Sequence, residues 1–167
     1  MPSAEGPTPA VAAAAAVQLL VERGETLATA ESLTGGLVAA TIVEIPGVSA
    51  VFRGGLVVYA TALKHALAGV PEDLLKERGP VDPDVALALA AGARERCLAD
   101  WGVATTGVAG PDPQDGKPVG LVYIAVAGPA WATVRELRLA GSRARIRGAS
   151  VTAVLELLAG QLRAARA

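Results

Sequence analysis

Ser32 lies in the segment Ala30-Glu31-Ser32-Leu33-Thr34-Gly35-Gly36, with an apolar run over 26–30 before it and a helical pattern over 37–43 after it. That arrangement predicts a strand, a tight turn and a helix. A hydroxyl at such a junction sits beside backbone N–H groups that the first helical turn cannot use internally. Those groups favour negative charge, whether a phosphate or a developing oxyanion. Gly35 and Gly36 have no Cβ, so a ligand can approach the backbone closely. The turn alone leaves three readings open. Ser32 is an activated nucleophile, the turn cradles an anion, or Ser32 and Thr34 are helix caps with glycines for packing.

A serine nucleophile needs a base. His65 is the single histidine, on a short helical stretch over 61–68. Lys64 beside it is the competitor, because desolvation or a neighbouring cation can bring a lysine toward neutrality. Ser–Lys pairs are known nucleophile–base variants. The plainer reading of Lys64 is a solvated surface lysine. Arg143, Arg145 and Arg147 open the last helix, and Arg143 and Arg147 share a face. Arginines at a helix start oppose its dipole, which points to an anionic partner, and guanidinium forks suit phosphate. Tyr59 ends an apolar strand and reads as packing with a wet hydroxyl or as a site residue. Glu31 reads as a group that positions Lys64 or an arginine, or as a satisfied structural carboxylate. Asp112 and Asp115 lie in a polar loop and make poor metal candidates. Trp101, Trp131 and Phe52 read as packing residues.

The elements that must bring these groups together can be read in order. A loose tail over 1–8 precedes a helix over 9–23. A strand over 25–31 and a helix over 34–45 flank the Ser32 turn. A strand follows over 49–59, with a bulge expected at Gly54-Gly55. The helix over 61–68 leads to a short one opened by Val70-Pro71 and broken by Gly79-Pro80. Asp82 and Pro83 cap and start a long helix running to residue 99. A strand over 102–106 ends in Gly107-Val108-Ala109-Gly110-Pro111, followed by a polar loop over 112–117. Strands over 119–127 and 132–139 form a hairpin, and a helix over 143–165 closes the chain. Alternating helices and strands predict a layered α/β/α fold, with a mixed, mostly parallel sheet and a late antiparallel hairpin. One domain is expected over 9–167. Ligands in open α/β sheets sit outside the carboxyl ends of strands. Parallel neighbours among the first three strands would therefore gather Ser32, Tyr59, Lys64 and Thr106 at one cleft.

The chain has 167 residues, 52% of them hydrophobic but only 3% aromatic, so its core must be built of Ala, Val and Leu. A net charge of −1 gives no basic field for nucleic acid or a membrane surface. The apolar stretch over 9–20 is too short to span a bilayer. The single Cys97 allows no internal disulfide and fits a cytoplasmic protein. One histidine and one cysteine argue against a protein zinc site. No metal and no cofactor are expected.

Five segments in order resemble the motifs of the CinA C-terminal domain family. The Ser32 segment is similar to A-E-S-C-T-G-G, and Tyr59 followed by Lys64 is similar to Y-S-N-x-x-K. Gly107-Val108-Ala109-Gly110-Pro111 is similar to G-I-A-G-P, and Lys117-Pro118-Val119-Gly120 matches K-P-V-G. Gly141-Ser142-Arg143 with Arg147 is similar to G-D-R-x-x-x-R. Leu33, Ala60-Thr61, Asp112-Pro113 and Ser142 depart from the pattern. The resemblance implies a metal-free amidase that hydrolyses the carboxamide of nicotinamide mononucleotide to the nicotinate nucleotide and ammonia. It implies Ser32 as nucleophile and Lys64 as base. Tyr59 and an arginine of the last helix, Arg143 or else Arg147, would tune that pair or hold substrate. Glu31, Thr34, Gly35, Gly36, Thr106, Gly107, Gly110 and Arg147 are the expected substrate-binding residues, and a homodimer is implied as well. Two other classes stay open: a nucleotide-binding regulatory module that lost turnover, and a metal-dependent nucleotide phosphatase or pyrophosphatase.

Overall fold

The computed structural model describes residues 6–165. Residues 1–5 of the expected tail, and 166–167, lie outside the described residues. The rest of that tail is ordered by a cap: the Thr8 hydroxyl accepts from Val11 N and starts α1 (Pro9–Arg23), which Gly24 ends in the left-handed conformation.

The strands are β1 (Leu27–Glu31), β2 (Phe52–Val57), β3 (Trp101–Gly107), β4 (Leu121–Ala127) and β5 (Ala132–Arg138). They form one five-stranded sheet in the order β2-β1-β3-β4-β5. β1 runs parallel to both β2 and β3, while β4 and β5 add as an antiparallel hairpin. The expected α/β architecture is the observed one. Alternate strand residues go to opposite faces. Leu27 and Val103 join α1, α2 (Leu37–Val43) and α6 (Arg143–Ala164) on one side. Ala28, Ala30 and Ala104 face α5 (Pro83–Arg96) on the other. The helix after β1 and the long helix after β2 thus lie on opposite faces, and the chain reverses direction across the sheet at β1. That is the switch point where an α/β sheet opens a crevice at its carboxyl edge.

The scarcity of aromatic residues shows in the α5 face. Small side chains let backbone meet backbone. A Cβ on Gly92 would sit 1.9 Å from the Ala68 carbonyl oxygen, and one on Gly102 would sit 2.1 Å from that of Ala90.

Several boundaries differ from the expected ones, each for a local reason. β1 starts at Leu27 because Thr26 gives its amide and hydroxyl to Asp100. α2 starts at Leu37, not residue 34, because Gly35 and Gly36 take φ of +58° and +102°. Residues 48–50 form one 3-10 turn instead of strand. The β2 bulge falls at Arg53, where the register with β1 jumps from Phe52 to Gly54. Pro71 caps α4 (Glu72–Arg78) and does not enter it. α3 is a short helix over Thr61–Ala66. α5 stops at Arg96, and Leu98 then takes a positive φ of 54°.

Gly92→Ala is expected to lower stability by roughly 2 kcal/mol or more, because backbone on both sides must move. Gly160→Ala in α6 meets nothing within 4 Å and is expected to gain up to roughly 1 kcal/mol. Thermal or urea unfolding of the two variants measures this opposite sign.

Candidate active site

β1 delivers Glu31 and then Ser32. The Glu31 carboxylate turns back onto α2, where Oε1 accepts from Val38 N at 2.8 Å and Oε2 from Ala39 N at 3.0 Å. The first helical amides are therefore occupied by the protein itself. This is the structural role for Glu31, satisfied by an N-terminal helix turn. Ser32 N donates to Thr105 O at 3.0 Å, which extends the β1–β3 pairing by one residue. Thr34 Oγ1 and Thr105 Oγ1 pair at 2.8 Å, both fully buried. Gly35 N closes the turn on Ser32 O.

Lys64 enters from α3. It is 1% exposed, and its Nζ lies 2.9 Å from Ser32 Oγ. The same nitrogen donates to Val58 O at 2.8 Å and Tyr59 O at 3.2 Å. β2 pairing ends at Val57, so these two carbonyls are the ones released by the end of the strand. The cavity gives the amine dipoles but no carboxylate. Burial alone lowers its pKa from 10.5 to about 8. A neutral amine has two N–H groups and one lone pair. With two carbonyls taking the N–H groups, the third direction faces the Ser32 hydroxyl, which can then donate to nitrogen. In the protonated state the third N–H donates to Oγ. One geometry serves both states.

A small cleft fronts this pair, with Tyr59, Thr61, Thr106 and Gly107 among its walls. Ser32 remains 8% exposed there and Tyr59 is 61% exposed. Thr106 is buried and donates to Pro80 O at 2.7 Å. Gly107 is required by packing, since a Cβ would meet Leu121 O at 2.7 Å. Arg143 ties the rim: Nη1 donates to Gly110 O and Nη2 to the Tyr59 hydroxyl at 3.0 Å. Arg147 reaches behind the turn instead, with Nε on Leu33 O and Nη2 on Thr34 O, both at 2.9 Å. Two of the three dipole-opposed arginines of α6, Arg143 and Arg147, thus find acceptors within the chain.

The structure gathers Ser32, Lys64, Tyr59, Thr106 and Gly107 at the cleft, with Arg143 and Gly110 at its edge. Glu31, Thr34, Gly35, Gly36 and Arg147 lie in the frame behind the serine. His65 faces elsewhere, with Nδ1 at 2.8 Å from Val70 O and Nε2 at 3.8 Å from Glu72. Gln114, Pro80 and Val81 also line the cleft and were not foreseen. Gln114 sits in the polar loop with no periodicity to mark it. Pro80 was legible only as a helix breaker, and nothing in the sequence marks its carbonyl as the acceptor for Thr106. Among the described residues no group of three or more His, Cys, Asp or Glu is arranged to hold a metal ion, and no helix is long and apolar enough to cross a membrane.

Fold and site define an α/β domain with a buried Ser–Lys pair at a topological switch point. The CinA C-terminal domain matches residues 10–162, and the chain belongs to that family. A CinA-like protein from Frankia casuarinae is 52% identical over 140 residues, which cover 84% of this chain and 32% of that protein. A CinA-like protein from Geobacter sulfurreducens is 51% identical over 144 residues, covering 86% of this chain and 34% of that protein. The chain therefore spans about a third of the length of these curated relatives. The crystal structure of competence/damage inducible protein CihA from Agrobacterium tumefaciens superposes with a TM-score of 0.89 at 36% identity, covering 96% of this chain and 99% of that one.

The buried amine has a consequence for stability. Between pH about 8 and 10.5 the folded Lys64 is neutral while the unfolded one still carries its proton. The unfolded state then binds more protons, so stability rises with pH across that window. Relative to Lys64→Met, the native chain is expected to gain up to roughly 3 kcal/mol between pH 8 and 10.5, read from paired denaturant titrations.

Proposed function

We propose that this chain hydrolyses the carboxamide of nicotinamide mononucleotide by acyl transfer through Ser32. The observation that carries the reading is the Lys64 amine, anchored by two carbonyls with its remaining direction on Ser32 Oγ. Neutral Lys64 takes the Ser32 proton as Oγ bonds to the carboxamide carbon. The tetrahedral oxyanion collapses, and the C–N bond breaks as Lys64 returns the proton to the departing ammonia. Lys64 then deprotonates a water, which releases the nicotinate carboxylate and regenerates Ser32. Unoccupied amides of the Ser32 turn would stabilise the oxyanion, on the order of 3 kcal/mol per donor. Arg143 is the group suited to the substrate phosphate, because its guanidinium stands at the cleft rim between Gly110 O and the exposed Tyr59 hydroxyl, whereas Arg147 grips the carbonyls of Leu33 and Thr34.

The reading includes a single domain over 9–167 acting as a cytoplasmic homodimer without metal, cofactor, nucleic acid or membrane. Exposed Val57 at the end of β2, with exposed Leu63 and Leu67 in and just after α3, supports self-association.

The test is ammonia release from nicotinamide mononucleotide, nicotinamide riboside and free nicotinamide, with and without EDTA. Turnover is expected on the mononucleotide, unaffected by chelator. It should rise about tenfold per pH unit up to a pH of about 8 and then level. Ser32→Ala and Lys64→Met should each lose ~10³-fold or more. Undiminished ammonia release by folded Ser32→Ala sinks the nucleophile assignment. Calorimetric binding with no ammonia would point to a regulatory module, and magnesium-dependent phosphate release to a phosphatase.

A further inference from the structure

The expected phosphate ligand Arg147 is spent on backbone. Its Nε and Nη2 hold two consecutive carbonyls, Leu33 O and Thr34 O, at 2.9 Å each. In a trans peptide the carbonyl and the following N–H point in opposite directions. Drawing Leu33 O toward the guanidinium therefore turns the Thr34 amide the other way. Drawing Thr34 O turns the Gly35 amide the other way, and that amide closes on Ser32 O. Farther along, Thr34 O takes the Leu37 amide and Glu31 takes those of Val38 and Ala39. The Thr34 amide donates to no acceptor among the described residues. It lies two residues after the serine, on a peptide whose carbonyl, Leu33 O, is held by the Arg147 side chain.

We propose that Arg147 is a positioning residue: by gripping the Leu33 and Thr34 carbonyls it holds the Thr34 amide toward the oxyanion that forms at Ser32. This rests on Ser32 being an acyl-accepting nucleophile. The fork geometry matters, because two parallel N–H groups fix both planes at once, whereas a lysine ammonium would be a point charge between them. With Gly35 at φ +58° and Gly36 at +102°, the turn has little intrinsic stiffness of its own. Without the fork, the Leu33 carbonyl loses the partner that fixes the plane of the Leu33–Thr34 peptide, and the donor can turn away.

The experiment compares native chain, Arg147→Met and Arg147→Lys by three readouts. These are phosphonylation of Ser32 by a fluorophosphonate probe, kcat and KM on nicotinamide mononucleotide and on nicotinamide riboside, and thermal unfolding. Arg147→Met is expected to lower the phosphonylation rate and kcat by ~10²-fold, equally on both substrates, with KM within about twofold. Arg147→Lys should retain the fold and lose less, and added ethylguanidinium should restore part of the Arg147→Met rate. A loss confined to the phosphorylated substrate, carried by KM, overturns the proposal in favour of a phosphate ligand. An unchanged phosphonylation rate overturns it as well. Should Arg147→Met fail to fold, Arg147→Lys decides on the same criteria. If the native chain is phosphonylated at Ser32 yet releases no ammonia from any carboxamide, the amidase reading fails while the role of Arg147 is still measured. If Ser32 is not phosphonylated at all, both fall together.

Discussion

A primary amine buried among dipoles, with no carboxylate to keep it charged, is the constraint on which the rest of this structure depends. Two carbonyls at the end of β2 hold Lys64 Nζ, and a hydroxyl at the end of β1 faces it. The arrangement is expensive to assemble, since an ammonium loses hydration it does not recover from a counter-ion. The fold answers by making the neutral form accessible and by giving that form a full set of hydrogen bonds. Parallel pairing of β1 and β2 is what brings the two strand ends level. An antiparallel arrangement would put them at opposite edges.

The rest of the site is a frame around the serine. Glu31 locks the turn to α2, Thr34 locks it to β3 through Thr105, and Arg147 locks it to α6. Arg143 ties the other two rims of the cleft to the same helix. Three different elements therefore grip a short loop. Positions expected to touch substrate instead hold the loop that would. This is how a flexible, glycine-containing turn acquires a defined shape.

The strand–turn–helix around Ser32 was legible because the apolar run, the glycines and the helical pattern each have a period or a conformational demand of their own. The α/β class was legible from the alternation of elements, and the helix cap at Asp82 from residue type. Strand order was not legible, because it depends on which apolar faces meet. Nor was the division of labour between Arg143 and Arg147. Both lie on one helical face, and only the crossing of α6 over the turn decides which carbonyls each one reaches. The helical pattern reaches back to residue 34, yet α2 starts at Leu37, because pattern alone does not report φ at Gly35 and Gly36. The anionic-partner reading of the arginines missed that backbone carbonyls are acceptors too.

The placement of α6 also bears on how the site comes into being. Ser32 and Lys64 are early in the chain, whereas Arg143 and Arg147 belong to its last helix. Contacts of such long sequence separation form late, because loop closure must precede them. A chain emerging from the ribosome can pair β1 with β2 and seat the amine well before α6 exists. The Ser32 turn at that stage lacks its Arg147 brace, while Glu31 and Thr105 can already hold it. Docking of α6 is then the event that completes the frame around the Ser32–Lys64 pair, so that the geometry of the cleft arrives with completion of the fold.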